Sequence, residues 1–206
     1  METTIALGQS LSSESFRESL LEVIQSNLED WRDRVELDDL GVHGVDSSLT
    51  NQLCIVKSSG KASKHDSVIV RMFGENTDQI IDRESERRLN ESLVKIGFEC
   101  SAFLGYFGNG RIESFINGKA CNPEDFTHPL HGQAIARSLA PLLGKLHSAV
   151  TPEISLEQEH TISRGLEFLS LAEKISFPVG HEKAKKLETI NTVSYTHLRA
   201  HETYDH

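Results

Sequence analysis

The sequence predicts an α+β fold, and three observations carry that prediction. LCIVKSS (53–59) and SVIVRMFG (67–74) are rich in β-branched residues and are joined by the polar turn GKASKHD (60–66), the pattern of an antiparallel strand pair. AFLGYF (102–107) and RIESFI (111–116) flank the turn GNG (108–110), which reads as a hairpin. Stretches with helical apolar spacing lie before the strands, between them and the hairpin, and again beyond residue 131, so helices and sheet are partly segregated along the chain.

The elements follow in order. Over residues 15–30, Phe16, Leu20, Leu21, Ile24 and Leu28 make one apolar stripe, with Ser15 and Glu18 spaced for a capping box and Trp31 closing the segment. The two strands come next. A helix is expected over about 78–96, with Ile80, Ile81, Leu89, Leu93 and Ile96 on its apolar side. After the hairpin, NGKACNPEDFTHP (117–129) is a connector rich in turn formers. Ile135, Leu139, Leu142 and Leu146 fall in register on a helix over 131–149, which Pro141 should kink or restart. Ile162, Leu166 and Leu169 mark a last helix over about 157–175. This helix and the 131–149 helix are expected to leave part of their apolar faces exposed.

The bulk composition excludes several classes. With 206 residues, 37% apolar and 25% charged, the chain has the make-up of a soluble globular protein with a sizeable core. No run of about 18 apolar residues is present, so no membrane span is predicted. The N-terminus shows no basic segment followed by an apolar block, so no secretory signal is read and a cytoplasmic location is expected. Lys and Arg total 21 against 31 for Asp and Glu. That excess of acid argues against nucleic acid and anionic membrane as partners. It is compatible with a cationic small-molecule substrate. The oligomeric state is not readable. Cys54, Cys100 and Cys121 are widely spaced and form no CxxC pair, as in a reduced cytosolic protein.

Two charges stand in unusual places. Arg71 interrupts VIVRMFG on the strand face that carries Ile69 and Phe73. Either that face is the solvent side of the sheet, or a guanidinium points into an apolar cleft. Glu86 shares a helix side with Leu89, Leu93 and Ile96, where a carboxylate needs a partner. Upstream, GVDSSLTNQLCIV (44–56) is a small polar loop running into a strand, which offers either backbone N–H groups to phosphate or an ordinary turn.

Taken together, the segments from about Trp31 to Ser148 resemble the choline/ethanolamine kinase family, on its ethanolamine kinase side. SLTNQL (48–53) is similar to the family's G-[IM]-[ST]-N-x-L nucleotide loop. VIVRMFG (68–74) is similar to its V-L-[VL]-R-[IL]-Y-G strand, and IIDRESE (80–86) to its I-D-R-x-x-E helix start. FGNGRIESFING (107–118) is similar to its F-x-N-G-x-x-x-x-F-[IV]-x-G hairpin and hinge, and LLGKLHS (142–148) to its [LM]-A-[KR]-[LIF]-H-[AS] helix. The resemblance implies a protein-kinase-like fold, with an antiparallel sheet and helix as small lobe over 31–118. It makes 119–192 the start of a helical large lobe, and 1–30 a preceding helix. It also implies ATP as the nucleotide and Mg²⁺ held from the large lobe. The acceptor would be an amino alcohol: ethanolamine first, in phosphatidylethanolamine synthesis, and choline as the alternative. By the same resemblance Arg71 contacts ATP phosphates and Glu86 orients it. Ser47, Ser48, Leu49, Thr50, Asn51 and Gln52 cover the phosphates. Ser114, Phe115, Ile116, Asn117 and Gly118 form the hinge beside adenine, acting through main chain. His147 is given a packing role.

The chain departs from the pattern in three respects. Ser47 and Ser48 stand where the family carries glycines, which allow backbone to approach phosphate closely. Ser114 stands where it often carries Glu or Gln. The H-N-D-x-x-x-x-N loop and the later I-D-[YF]-E stretch, which supply the base and the Mg²⁺ carboxylates, do not occur in the 206 residues. No catalytic residue is therefore assigned here, and no transfer activity is expected of these residues alone. A nucleotide-binding module without transfer activity is the competing reading. The ending VSYTHLRAHETYDH (193–206) places His197 and His201 at helical i, i+4 spacing, but a structural zinc site normally needs four ligands. A permitted reverse translation of VSYTHLRAHET resembles a transposase adapter used in sequencing libraries. Residues 193–206 are accordingly expected to be translated adapter, with the native frame interrupted near Thr192, and no metal site is assigned.

Overall fold

The computed structural model describes residues 3–48, 51–62, 64–118, 120–149, 159–178 and 180–187. Leu49, Thr50 and the 193–206 ending lie outside the described residues. The chain divides into two compact units, Met1–Ile154 and Ser155–His206.

The first unit begins with helix α1, Glu14–Asn27. Its apolar stripe is buried as the spacing requires: Phe16, Leu20, Val23 and Ile24 are all but inaccessible, and Trp31 is fully buried just beyond. The expected Ser15–Glu18 capping box is not used. Ser13 takes the cap position, and its hydroxyl makes no cap bond. A short 3-10 turn, Leu37–Asp39, leads into the sheet.

The sheet has five strands, β1 Gly41–Ser48, β2 Asn51–Lys57, β3 Ser67–Phe73, β4 Phe103–Phe107 and β5 Gly110–Ser114, in the order β1-β2-β3-β5-β4. Neighbours are antiparallel throughout. Alternation along β3 sorts the two faces. Val68, Val70 and Met72 are buried, while Ile69, Arg71 and Phe73 are half-buried. The first set joins Cys54, Val56 and Ile112 in one core with Phe16, Leu20, Ile24 and Trp31. The helix before the sheet thus shares a single core with it. Burial pushes the Cys54 thiol up to about 12, and burial also raises that of Cys100, while Cys121 is exposed. Since thiolate is the reactive form, native alkylation followed by mass spectrometry is expected to label Cys121 first and Cys54 only on unfolding.

Strand β1 replaces a loop in the sequence reading. VHGVDSS has neither strict alternation nor a β-branched run, yet it pairs with β2 from Gly41↔Lys57 to Ser48↔Asn51, with an irregularity between Val45 and Ser48. Ser47, Ser48, Asn51 and Gln52 of the expected nucleotide loop therefore lie in paired strands.

The helix expected over 78–96 is shorter. A 3-10 turn, Thr77–Gln79, comes first, and α2 runs Arg83–Lys95. Asp82 sets the start: its carboxylate accepts from the Ser85 N–H at 3.0 Å and the Ser85 hydroxyl at 2.7 Å. Gly97, in left-handed conformation, ends it, with the Phe98 N–H bonded to the Leu93 carbonyl at 2.9 Å. Ile80, Leu89 and Ile96 are exposed, so the apolar stripe is not the packed side. The half-buried positions of α2 are Arg83, Glu86, Arg87, Asn90, Ser92 and Leu93, of which only Leu93 belongs to the stripe. Asn90 ties the helix to the β4 edge. It donates to the Ser101 carbonyl at 2.7 Å and accepts from the Phe103 N–H at 3.1 Å.

The NG turn joins β4 to β5 as the sequence predicts, and a Cβ at Gly110 would collide with the Arg71 carbonyl and the Phe107 ring. Asn109 also fastens the N-terminal segment. Its side chain accepts from the Ile5 N–H at 2.9 Å and donates to the Ile5 carbonyl at 2.7 Å, and the Gly108 N–H bonds to the Thr3 carbonyl at 2.9 Å.

Beyond β5 the connector contains one short helix, α3, Pro123–Thr127. Helix α4, His131–Ser148, runs continuously through Pro141, so the proline neither stops nor restarts it. None of its residues is buried, and Leu139 and Leu143 are exposed, so part of its apolar face is open. Lys145 reaches the Gly97 carbonyl. In the second unit, α5 is Glu159–Ala172, with Leu169 buried and Phe168 exposed.

Candidate functional site

Arg71, Asn51 and Phe73 occupy the sheet face turned away from the α1 core, because cross-strand partners share a face: Leu53↔Arg71 and Asn51↔Phe73. On β5, Arg111 lies opposite Arg71, and Glu113 opposite Ile69. Glu86 and Arg83 reach the same face from α2. The half-buried side of the strand thus takes the guanidinium, resolving the choice left by the sequence: it points neither to bulk solvent nor into an apolar cleft, but into a set of charges.

That set is continuous. The Glu113 carboxylate accepts from Arg71 Nε at 2.6 Å and Arg71 Nη2 at 3.3 Å. It also accepts from Arg111 Nε at 2.7 Å. Arg111 in turn donates to Glu86 from Nη1 at 2.7 Å and Nη2 at 2.9 Å. Arg83 Nη1 completes the Glu86 pairing at 3.2 Å and donates from Nη2 to Asn51 at 3.3 Å. Two aromatic rings carry the cations: Arg111 lies 3.9 Å from the Phe103 centroid and Arg83 3.9 Å from that of Phe73. The side chains of Arg111 and Glu113 are each only 5% exposed.

The expected Arg71–Glu86 couple is therefore indirect. Among the described contacts Arg71 is held by Glu113, and Glu86 by Arg111 and Arg83. Burial opposes the Arg111 charge, but its bonds to Glu86 and Glu113 outweigh that and raise its proton affinity. The bond from Arg111 holds the Glu86 carboxyl below its ordinary range, against partial burial. A carboxyl depressed in the folded state stabilises it above the unfolded value of about 4.3, and that contribution is lost as pH falls through the folded value. The stability gap between the natural chain and Glu86→Gln is thus expected to narrow steadily below about pH 4.5, as read by urea midpoints across a pH series.

The other expected site residues are divided. The backbone of Ser47 and Ser48 lies in β1 at the hairpin tip. Gln52 falls on the opposite face from Arg71, opposite Met72, and accepts from the Gly8 N–H at 3.2 Å. At the expected hinge, Ser114 is already engaged: its N–H bonds to the Ala102 carbonyl at 2.9 Å. Its hydroxyl accepts from the Ala102 N–H at 2.9 Å, and its carbonyl accepts from the Ser101 hydroxyl. Phe115 is half-buried, and Ile116, Asn117 and Gly118 are exposed, leaving 115–118 to offer main-chain groups. His147 is exposed on α4. Arg111 and Glu113 were missed by the sequence reading, although the R-x-E spacing in RIESF puts both on one strand face.

Among the described residues no group of three or more His, Cys, Asp or Glu is placed to hold a metal ion, so no step through Mg²⁺ is derived from them. A cavity of about 600 Å³ is lined by Ile5, Leu7, Phe73, Asp78 and Asn109 among others, and of the charged network only Arg83 lines it. No helix among the described residues is long and apolar enough to cross a membrane.

A five-stranded antiparallel sheet with a strand cation, a helix carboxylate and a strand-to-helix connector after β5 is the small lobe of a protein-kinase-like fold. Solved structures agree. A *Plasmodium vivax* ethanolamine kinase superposes with a TM-score of 0.69 at 24% identity, over 97% of this chain and 55% of that one. A choline kinase from *Cryptosporidium parvum* does so at 0.55 and 18%, over 84% and 49%. Residues 42–203 match the choline/ethanolamine kinase family, and the chain belongs to it. It is 33% identical over 181 residues to a probable ethanolamine kinase of *Arabidopsis thaliana*, covering 87% of this chain and 45% of that protein. It is 30% identical over 162 residues to a choline kinase of *Saccharomyces cerevisiae*, covering 75% and 26%. The chain thus spans less than half the length of these relatives.

Proposed function

We propose that these residues form the nucleotide-binding part of an ATP-dependent ethanolamine kinase, which converts ATP and ethanolamine to ADP and phosphoethanolamine. The observation that carries the reading is the Arg71 guanidinium on the half-exposed face of β3, gripped along one edge by Glu113. Such a cation, fixed before ligand arrives, suits a polyphosphate. The β1–β2 tip lies at the Phe73 end of β3 and the 115–118 connector follows the far end of β5, so a nucleotide would span this face with phosphates at one end and base at the other. Mg²⁺, held by carboxylates of the remainder of the protein, would neutralise the phosphates during transfer. Similarity to ethanolamine kinases favours that acceptor over choline, although relatives named for both are at hand.

The test is coupled ADP release by the full-length protein. Turnover with ethanolamine well above that with choline, and its collapse in Arg71→Ala, is the expected result. ATP binding without turnover on either alcohol would replace the kinase reading with the binding module. Failure to bind ATP would reject both.

A further inference from the structure

Arg71 and Arg111 stand directly opposite one another on β3 and β5, a like-charge pair that is unfavourable by itself. What reconciles them is Glu113, on the same face as Arg111 and nearly inaccessible. Its one carboxylate takes the Nε edge of Arg71 and the Nε of Arg111. Arg111 is committed on its other side to both oxygens of Glu86 and rests on the Phe103 ring. The fork that holds Arg71 is thus itself held, from β5 to α2. Arg71 donates from Nε and Nη2 to Glu113, and among the described contacts its Nη1 edge is not engaged.

We propose that Glu113, braced by Arg111 and through it by Glu86, is the positioning residue that fixes Arg71 for the nucleotide phosphates, so that helix α2 acts on Arg71 through strand β5 and not by touching it. This rests on the nucleotide reading of the same face. A guanidinium held along its Nε edge keeps one orientation of its remaining donors, so less freedom is lost when phosphate binds. The effect falls on the phosphates and leaves the nucleoside part of the ligand unaffected.

The experiment titrates the 206-residue chain calorimetrically with ATP and, separately, with adenosine. Arg71→Ala and Glu113→Gln are each expected to weaken ATP about tenfold, the size of one charge-assisted bond, with adenosine affinity unmoved. The double variant is expected to be no weaker than Arg71→Ala alone. Arg111→Lys keeps the charge but loses the fork, and should show a smaller loss of the same kind; it carries the test if Glu113→Gln does not fold. The proposal is overturned if Arg71→Ala weakens ATP and neither Glu113→Gln nor Arg111→Lys does. Equal weakening of ATP and adenosine would overturn it too, by showing general loosening. So would ATP binding indifferent to Arg71→Ala, a result that keeps nucleotide binding but takes Arg71 out of it. If the unsubstituted chain binds neither ligand, the nucleotide reading itself fails and the brace has no phosphate to serve.

Discussion

Glu113→Leu is expected to cost about 3–5 kcal/mol of folding free energy, the usual consequence of removing one partner from a buried ionic cluster. The cluster holds three guanidiniums, Arg71, Arg83 and Arg111, and two carboxylates, Glu86 and Glu113. Without Glu113, Arg71 and Arg111 face each other in register with Glu86 as the one remaining counter-charge. Arg111→Met presents the opposite case. It removes the excess cation, and each carboxylate keeps one arginine: Glu113 keeps Arg71, and Glu86 keeps Arg83. Methionine also keeps much of the packing on Phe103. The leucine substitution should therefore be the more damaging of the two. Urea unfolding followed through Trp31, the chain's one tryptophan, measures both, and the reverse ranking would refute the account of the cluster.

Trp31→Ala is expected to cost a similar ~3–5 kcal/mol, for a different reason. Its side chain is fully buried in the core shared by α1 and the sheet, and its indole N–H donates to the His65 carbonyl at 2.6 Å. The loop it anchors is held a second time by Asp30, whose carboxylate accepts from the N–H groups of Lys64 and His65 at 2.9 and 2.8 Å. Burial alone would raise the Asp30 carboxyl, but these bonds outweigh it and lower it. The alanine variant loses ring volume and strips the His65 carbonyl of its donor. Trp31→Phe loses mainly the bond and should retain much of the stability. Thermal melts followed by circular dichroism discriminate the two, and equal losses would mean that packing is not the dominant contribution.

Much of the fold was legible because its periodicity coincided with its packing. The α1 stripe, the alternation of β3 and the NG hairpin each carry a local signal that tertiary structure simply keeps. Strand β1 was not legible, since Gly41, His43, Gly44 and the serines give no alternation, and its pairing is dictated by β2 lying alongside. Helix α2 misled for the opposite reason. Its apolar positions are regular, but Leu89 and Ile96 stay exposed while the packed side carries Arg83, Glu86 and Asn90. Polar side chains that bury by pairing with distant polar side chains leave no hydrophobic period to read. The same holds at the site. Arg71 and Glu86 stood out because each interrupts an apolar pattern. Arg111 and Glu113 flank Ile112 in a short strand, where alternation reads as an ordinary outer face, and their importance comes from the register of β3 with β5, which no local pattern encodes.

The clasp between Asn109 and Ile5 also imposes an order of events during synthesis. Its partners are 104 residues apart, so residue 5 leaves the ribosome long before anything exists to receive it. At about 5–20 residues per second, the wait is on the order of 5–20 s. During that interval Ile5, which ends all but inaccessible, is an apolar residue without a site, and the segment around it is open to chaperones. The closing of that clasp reports that the β4–β5 turn has formed.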